Sequence, residues 1–375
     1  MLGRDIFILK YIIFTLFVVL INTPAILCAG PNVLFINPGR SGENFWEMVS
    51  DFMEAAAKDL DINLTILSAE RDHLLMAKLA TNAAIAKQPP DYMLLVNEKR
   101  AAAKLLPELP QNIKIILLNN GLSKDEKNRY GNPRERFPNW LATIVPDHKK
   151  AGRDIMRTLN TKVVQASDSK LERKKTGLLA IGGNKATLAS KLRLEGMLDV
   201  LSKNSSTDLY QTVYSEWRQD KAEAQIYGLL RRWPDTQLIW AANDPMALGA
   251  LAAAERRNYR PGENIHIGGL NWSKEALQKI KTGKISVSVG GHFMLGGWAL
   301  VMIHDLHKGK DFLDLGYEIT IPMSIITRKN VSSYLEKFGD EDWGKINFQK
   351  FSRKNKKIKS KYDFSIPSLL SAIEN

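Results

Sequence analysis

The stretch Gln237 to Arg257, QLIWAANDPMALGALAAAERR, runs a short apolar segment straight into a helix-forming segment through a polar corner. Leu238, Ile239 and Trp240 suit a buried strand. Asn243 or Asp244 can cap the helix that follows, and Pro245 suits its first turn, where no intrahelical N–H is lost. A strand that delivers polar side chains to a helix N-terminus is how open α/β sheets build ligand sites, at the carboxyl ends of their strands. The same strand-to-helix unit recurs along the chain, and that recurrence constrains the fold more than any other feature.

Asn32 to Asn37 reads as a first buried strand, and Phe45 to Leu60 follows with helical periodicity. Strands at Asn63 to Ser68, Asp91 to Val96 and Ile113 to Leu118 alternate with helical segments near Asp72 to Lys87 and Arg100 to Leu106. Lys124 to Trp140 is polar, carries two prolines and reads as a loop over the surface. After Leu141 to Val145, the segment Pro146-Asp147 opens a helix through Leu159, and the cycle restarts at Thr176 to Ile181. Helices at Ala186 to Leu201, Lys221 to Arg232 and Ala247 to Arg257 alternate with strands at Gln211 to Tyr214, Gln237 to Trp240 and Ile265 to Leu270. Alternation at this spacing predicts parallel sheets with right-handed crossovers. The expectation is an α/β chain of two lobes, each with its own sheet, and a boundary near Val145-Pro146.

The N-terminus sets the compartment. Arg4 and Lys10 precede the apolar run Tyr11 to Ile21, and small residues follow at Cys28, Ala29 and Gly30. That order is the one of a secretory signal peptide, cleaved near Ala29, and it places the mature protein in the periplasm. The other readings are an uncleaved anchor, for which the run is short and broken by Pro24, or a lipoprotein, for which Leu27 is unsuitable. Cys28 is the only cysteine, so the mature chain has no disulfide and depends on a large core. The net charge of +13 comes largely from Lys345 to Lys361, which reads as a solvated basic tail rather than a nucleic-acid surface. No nucleophile elbow, phosphate loop or metal-spaced His/Cys cluster occurs, so an enzyme, a cofactor and a metal are not expected.

Several segments, in order, resemble the type I periplasmic solute-binding proteins, the ribose- and galactose-binding group: NFWEMVSDFMEAAAKDL, QPPDYMLLV, VPDHKKAG, LRLEGM, AANDPMALGAL and IGGLNWSKEALQKIKTGKISVSV. The resemblance covers about Asn32 to Tyr334. It implies a two-lobed fold with a three-strand hinge, an N-terminal lobe from 30–145 and 291–321, and a C-terminal lobe from 146–290 and 322–335. A basic extension, 336–375, lies beyond it and would strap the lobes or touch a partner. The resemblance also implies closure over a small sugar or sugar-like ligand and delivery to the membrane permease of an ABC importer. The alternative is presentation to a membrane sensor kinase or cyclase; a monomer is expected in either case.

Residue by residue, Phe45 and Trp46 match aromatics that stack on a sugar, one facing the ligand and one the core, with Trp46 favoured for the ligand. Arg193 matches a cleft arginine, Trp217 a stacking aromatic, and Asn243 a hydrogen-bonding residue, while Asp244 is expected to cap the helix and hold the loop. Asn271 stands where sugar binders usually carry Asp, and His292 near where they often carry Gln. Arg40 and Asn120, on loops after strands, complete the expected wall.

Overall fold

The computed structural model describes residues 30–166, 175–353 and 362–373; the expected signal segment 1–29 lies outside the described residues. Two six-stranded sheets organise the chain from Pro31 onward, which forms one compact unit. The first holds β1 (Asn32–Asn37), β2 (Asn63–Ser68), β3 (Tyr92–Val96), β4 (Lys114–Leu118), β5 (Trp140–Pro146) and β11 (Glu318–Ile321), in the order β11-β5-β4-β3-β1-β2. The second holds β6 (Thr176–Gly182), β7 (Thr207–Tyr214), β8 (Thr236–Ala241), β9 (His266–Asn271), β10 (Val287–Gly290) and β12 (Ser324–Ile326), in the order β12-β10-β9-β8-β6-β7. All pairings are parallel except β10 with β12. The chain passes between sheets after β5, after β10 and between β11 and β12, so three crossings lie side by side.

The central strands β3, β6 and β9 are buried along their whole length, as both faces of a parallel sheet require. Helices flank them: α1 (Asn44–Asp59), α2 (His73–Ala84), α3 (Ala101–Leu105) and α10 (Leu295–His307) go with the first sheet. Helices α5 (His148–Ala166), α6 (Leu188–Leu201), α7 (Gln219–Arg232), α8 (Asp244–Arg256) and α9 (Lys274–Lys281) go with the second. Glycine makes one contact here decisive. A Cβ on Gly152 would stand 1.9 Å from the Arg193 carbonyl, and one on Gly196 would stand 2.0 Å from that of Lys149. Helices α5 and α6 therefore touch backbone to backbone, which fixes His148 and Arg193 beside each other.

Two expectations are corrected. Within the segment read as a loop, Lys124–Tyr130 forms α4, started by a capping box in which the Ser123 N–H donates to Glu126 at 2.8 Å. The Ser-x-x-Glu spacing was the readable signal. The basic run is not a solvated tail where it is described. After α11 (Val331–Phe338), the buried residues Trp343, Ile346, Phe348 and Phe351 pack on α1 and α10. Phe364 stacks on Trp298 at 4.7 Å, just ahead of α12 (Ile366–Ser371). Lys345 pairs with Asp340 at 2.8 Å. Arg353, 2% exposed, donates to both oxygens of Asp314, at 2.7 and 3.0 Å. Lys354, Lys356, Lys357, Lys359 and Lys361 lie outside the described residues.

Candidate functional site

A recess opens where the carboxyl ends of the two sheets face each other, beside the three crossings. Its volume is about 420 Å³, counted out through its open mouth. Three of its walls come from loops that follow β1, β4 and β8.

After β1, the Asn37 side chain accepts from the Gly39 N–H at 2.8 Å and shapes the loop into α1. Trp46 packs against that loop, so close that a Cβ on Gly39 would stand 2.5 Å from its ring. Phe45, partly buried, meets Trp46 edge-on at 5.0 Å and stacks on His292 at 4.5 Å and 23°. After β4 come Asn119, in the left-handed backbone region at φ 62°, and Asn120. Asn120 accepts from the Ala189 N–H at 3.2 Å, which joins the end of the first sheet to the start of α6. Asn119 Oδ1 is buried without a partner among the described residues.

After β8, Asn243 is the N-cap of α8: its Oδ1 accepts from the Met246 N–H at 2.9 Å, and its amide donates to the Trp217 carbonyl at 3.1 Å. This corrects the expectation that Asp244 caps the helix. Asp244 instead accepts from the Ser273 N–H at 2.9 Å and from Ser288 Oγ at 2.8 Å, tying β9 and β10 to α8. Burial pushes its carboxyl up to about 6, against these hydrogen bonds. Trp217 stands over a glycine as well, since a Cβ on Gly183 would lie 2.3 Å from its ring. The Arg193 guanidinium lies 5.5 Å from the centre of that ring.

Arg193 occupies the floor. It donates from Nε to His148 Nδ1 at 3.3 Å, from Nη1 to the Ala242 carbonyl at 2.7 Å, and from Nη2 to His292 Nε2 at 3.1 Å. Burial, and then the arginine charge, hold both histidines well below the usual imidazole range, so both are neutral at pH 7. Burial also lowers the guanidinium, to about 9.

Of the residues expected from sequence, Phe45, Trp46, Asn120, Arg193, Trp217, Asn243, Asn271 and His292 come together around the recess. Arg40 does not. It is exposed on an outer groove with Ser41, Glu70, Asn184 and Arg218. Sequence reasoning missed Glu43, Arg71, Glu98, Asn119, Thr187 and Ala189 on the lining, and His148 behind it. Arg71 donates to Glu43 at 2.9 Å and to Glu98 at 3.2 Å, a triad assembled from three loops of the first sheet. Their position after strands β1, β2 and β3 was the available signal. No group of three or more His, Cys, Asp or Glu side chains is placed to hold a metal among the described residues. Aromatic faces with polar edges equip this recess to hold a small, hydroxyl-bearing molecule.

A sequence model of the periplasmic binding protein domain matches residues 33–311. Among solved structures, a periplasmic sugar-binding protein from Pseudomonas fluorescens is 36% identical, with a TM-score of 0.82 over 91% of this chain and 99% of that one. A solute-binding protein from Actinobacillus succinogenes with bound D-allose shares the fold at 17% identity and a TM-score of 0.70, over 81% of this chain and all of that one. The ribose import binding protein of Bacillus subtilis is 31% identical over 116 residues, 31% of this chain and 36% of its own length. With 279 consecutive residues matched by the domain model, two sheets of the same topology and a recess between them, the chain belongs to the periplasmic binding protein domain family.

Proposed function

We propose that this protein binds a small sugar or sugar-like ligand in the recess, closes over it by a hinge motion, and delivers it to the membrane permease of an ABC importer. The observation that carries the reading is the composition of the recess. Phe45, Trp46 and Trp217 offer apolar faces, while Arg193, Asn120, Asn271 and His292 offer polar edges, and the two sets come from both sheets. A ligand touching both sides binds fully only when they are together, so its binding energy drives closure. The Asn120 to Ala189 hydrogen bond is a contact that opening would break. A solved structure from Pseudomonas fluorescens, 36% identical to this chain, is itself described as a periplasmic sugar-binding protein, which supports the same class. The role is binding rather than catalysis, because the recess histidines are engaged with Arg193 and held neutral instead of poised beside a nucleophile. Export with cleavage near Ala29 completes the reading.

A thermal-shift screen over monosaccharides, polyols and sugar acids tests it. A ligand at 100 times its dissociation constant adds about 2.7 kcal/mol and raises the melting temperature visibly. Trp217 beside the ligand should make tryptophan fluorescence follow the same titration. A screen in which no member shifts the melting temperature contradicts the reading.

A further inference from the structure

Arg193 is 4% exposed, and each hydrogen bond it makes ends on a neutral acceptor: two imidazole nitrogens and one backbone carbonyl. A guanidinium has five N–H groups, so two remain, one on Nη1 and one on Nη2. The carboxylate that acts on it, Asp244, has both oxygens bonded to Ser273 and Ser288. The other acids on the lining, Glu43 and Glu98, are both bonded to Arg71.

The histidine protons can be placed from the same bonds. A guanidinium only donates, so the nitrogens facing it, His148 Nδ1 and His292 Nε2, carry no hydrogen. His148 then donates from Nε2 to the Asn119 carbonyl, at 3.0 Å. His292 carries its hydrogen on Nδ1, which is buried and has no partner among the described residues. The floor of the recess therefore offers three N–H donors and one positive charge. Asn119 Oδ1, on the same lining, is a buried acceptor without a partner among the described residues.

A neutral polyol brings hydroxyl donors that need acceptors, and it leaves the buried guanidinium with Asp244 nearby but no anion bonded to it. A carboxylate brings only acceptors and one negative charge, and it pairs with a guanidinium through short, charge-assisted bonds. A phosphate would bring up to two charges against one. We propose that the ligand is a hydroxylated monocarboxylate of monosaccharide size, a sugar acid, with its carboxylate against Arg193 and His292 and a hydroxyl donating to Asn119 Oδ1. This rests on the reading of the recess as a site for a sugar-like ligand.

Isothermal titration calorimetry on the unaltered protein, with matched pairs, tests it: galactose and galacturonate, glucose and glucuronate, glucose and gluconate, ribose and ribonate. The expected result is one acid bound about tenfold or more tighter than its neutral parent. In Arg193→Gln that preference should shrink toward the parent's affinity. Because the pairs are run first on the unaltered protein, a variant that fails to fold leaves the test intact. A neutral sugar that binds as tightly as its acid, or more tightly, overturns the sugar-acid inference and leaves the sugar-binding reading standing. If neither member of any pair binds, both are overturned.

Discussion

Phe45 and Phe52 lie seven positions apart on α1, two helical turns, and meet opposite surroundings. Phe52 is fully buried and ringed by Phe293, Trp298, Trp343 and Phe348 at 5.2 to 5.7 Å. Two of those four rings belong to the C-terminal extension. Phe45 is partly buried, stacks on His292 and faces open volume. One end of the helix has its aromatic contacts completed by the chain itself. The other leaves an aromatic face and polar edges for something that is not part of the chain. The same residue type on the same helix thus serves packing at one end and recognition at the other, and what separates them is which segments return to cover them.

The comparison breaks most visibly if the extension is removed. Burying Phe or Trp contributes about 3–5 kcal/mol per side chain against truncation to Ala, and a whole domain has a margin of about 5–15 kcal/mol. Deleting residues 335–375 uncovers Phe52 and Trp298 and discards Trp343, Phe348, Phe351 and Phe364 together. Thermal unfolding should show a collapse in stability, and an unchanged melting temperature would mean that the extension does not pack.

A smaller effect sharpens the recess side. His148 and His292 are held well below the usual value of 6.5 by burial and by Arg193. Below pH 6.5 the unfolded chain takes up protons at these positions and the folded chain does not, so stability is full above 6.5 and is lost as pH falls below it. Asp244, pushed up to about 6 from 3.8, works the other way and stabilises the folded state as pH falls through that window. His266, also lowered by burial, acts in the same sense as these two; between 6.5 and 6 only the histidines act, and below 6 Asp244 offsets about one of them. Denaturant unfolding should lose roughly 1 kcal/mol per histidine for each pH unit below 6.5. His292→Asn should flatten the slope between pH 6.5 and 6 by about a third to a half. A slope unaffected by that change would show that His292 is not buried neutral.

Much of this was legible in sequence because parallel strands buried on both faces read as continuous apolar runs. The segment LIWAANDP announced both a strand and a helix start, and the cap is there. Glycine spacing in VPDHKKAG and LRLEGM reflects the backbone contact of α5 with α6 at Gly152 and Gly196. The misses share a cause. Which of Asn243 and Asp244 caps depends on Ser273 and Ser288, some 30 to 45 residues away, which claim the aspartate. His148 sat unread inside a matched motif because its partner, Arg193, is distant in the chain. The extension read as a charged tail because lysines dominate its composition. Its aromatics, at Trp343, Phe348 and Phe351, find their pocket only in three dimensions. Local charge says little about a segment whose partners are 290 residues upstream, as Gln349 and Asp59 are.

The central claim, that one end of α1 recognises and the other end packs, is tested most directly by two substitutions measured side by side. Unfolding free energy without ligand, and its increase at saturating ligand, should be determined for Phe45→Ala and Phe52→Ala. The account predicts that Phe52→Ala loses about 3–5 kcal/mol without ligand while a ligand still adds its usual increment. Phe45→Ala should lose less than about 1 kcal/mol without ligand, and its ligand-induced increment should fall by about 1.5–3 kcal/mol. Equal losses of ligand-free stability in the two variants, with the ligand increment intact in both, would contradict it.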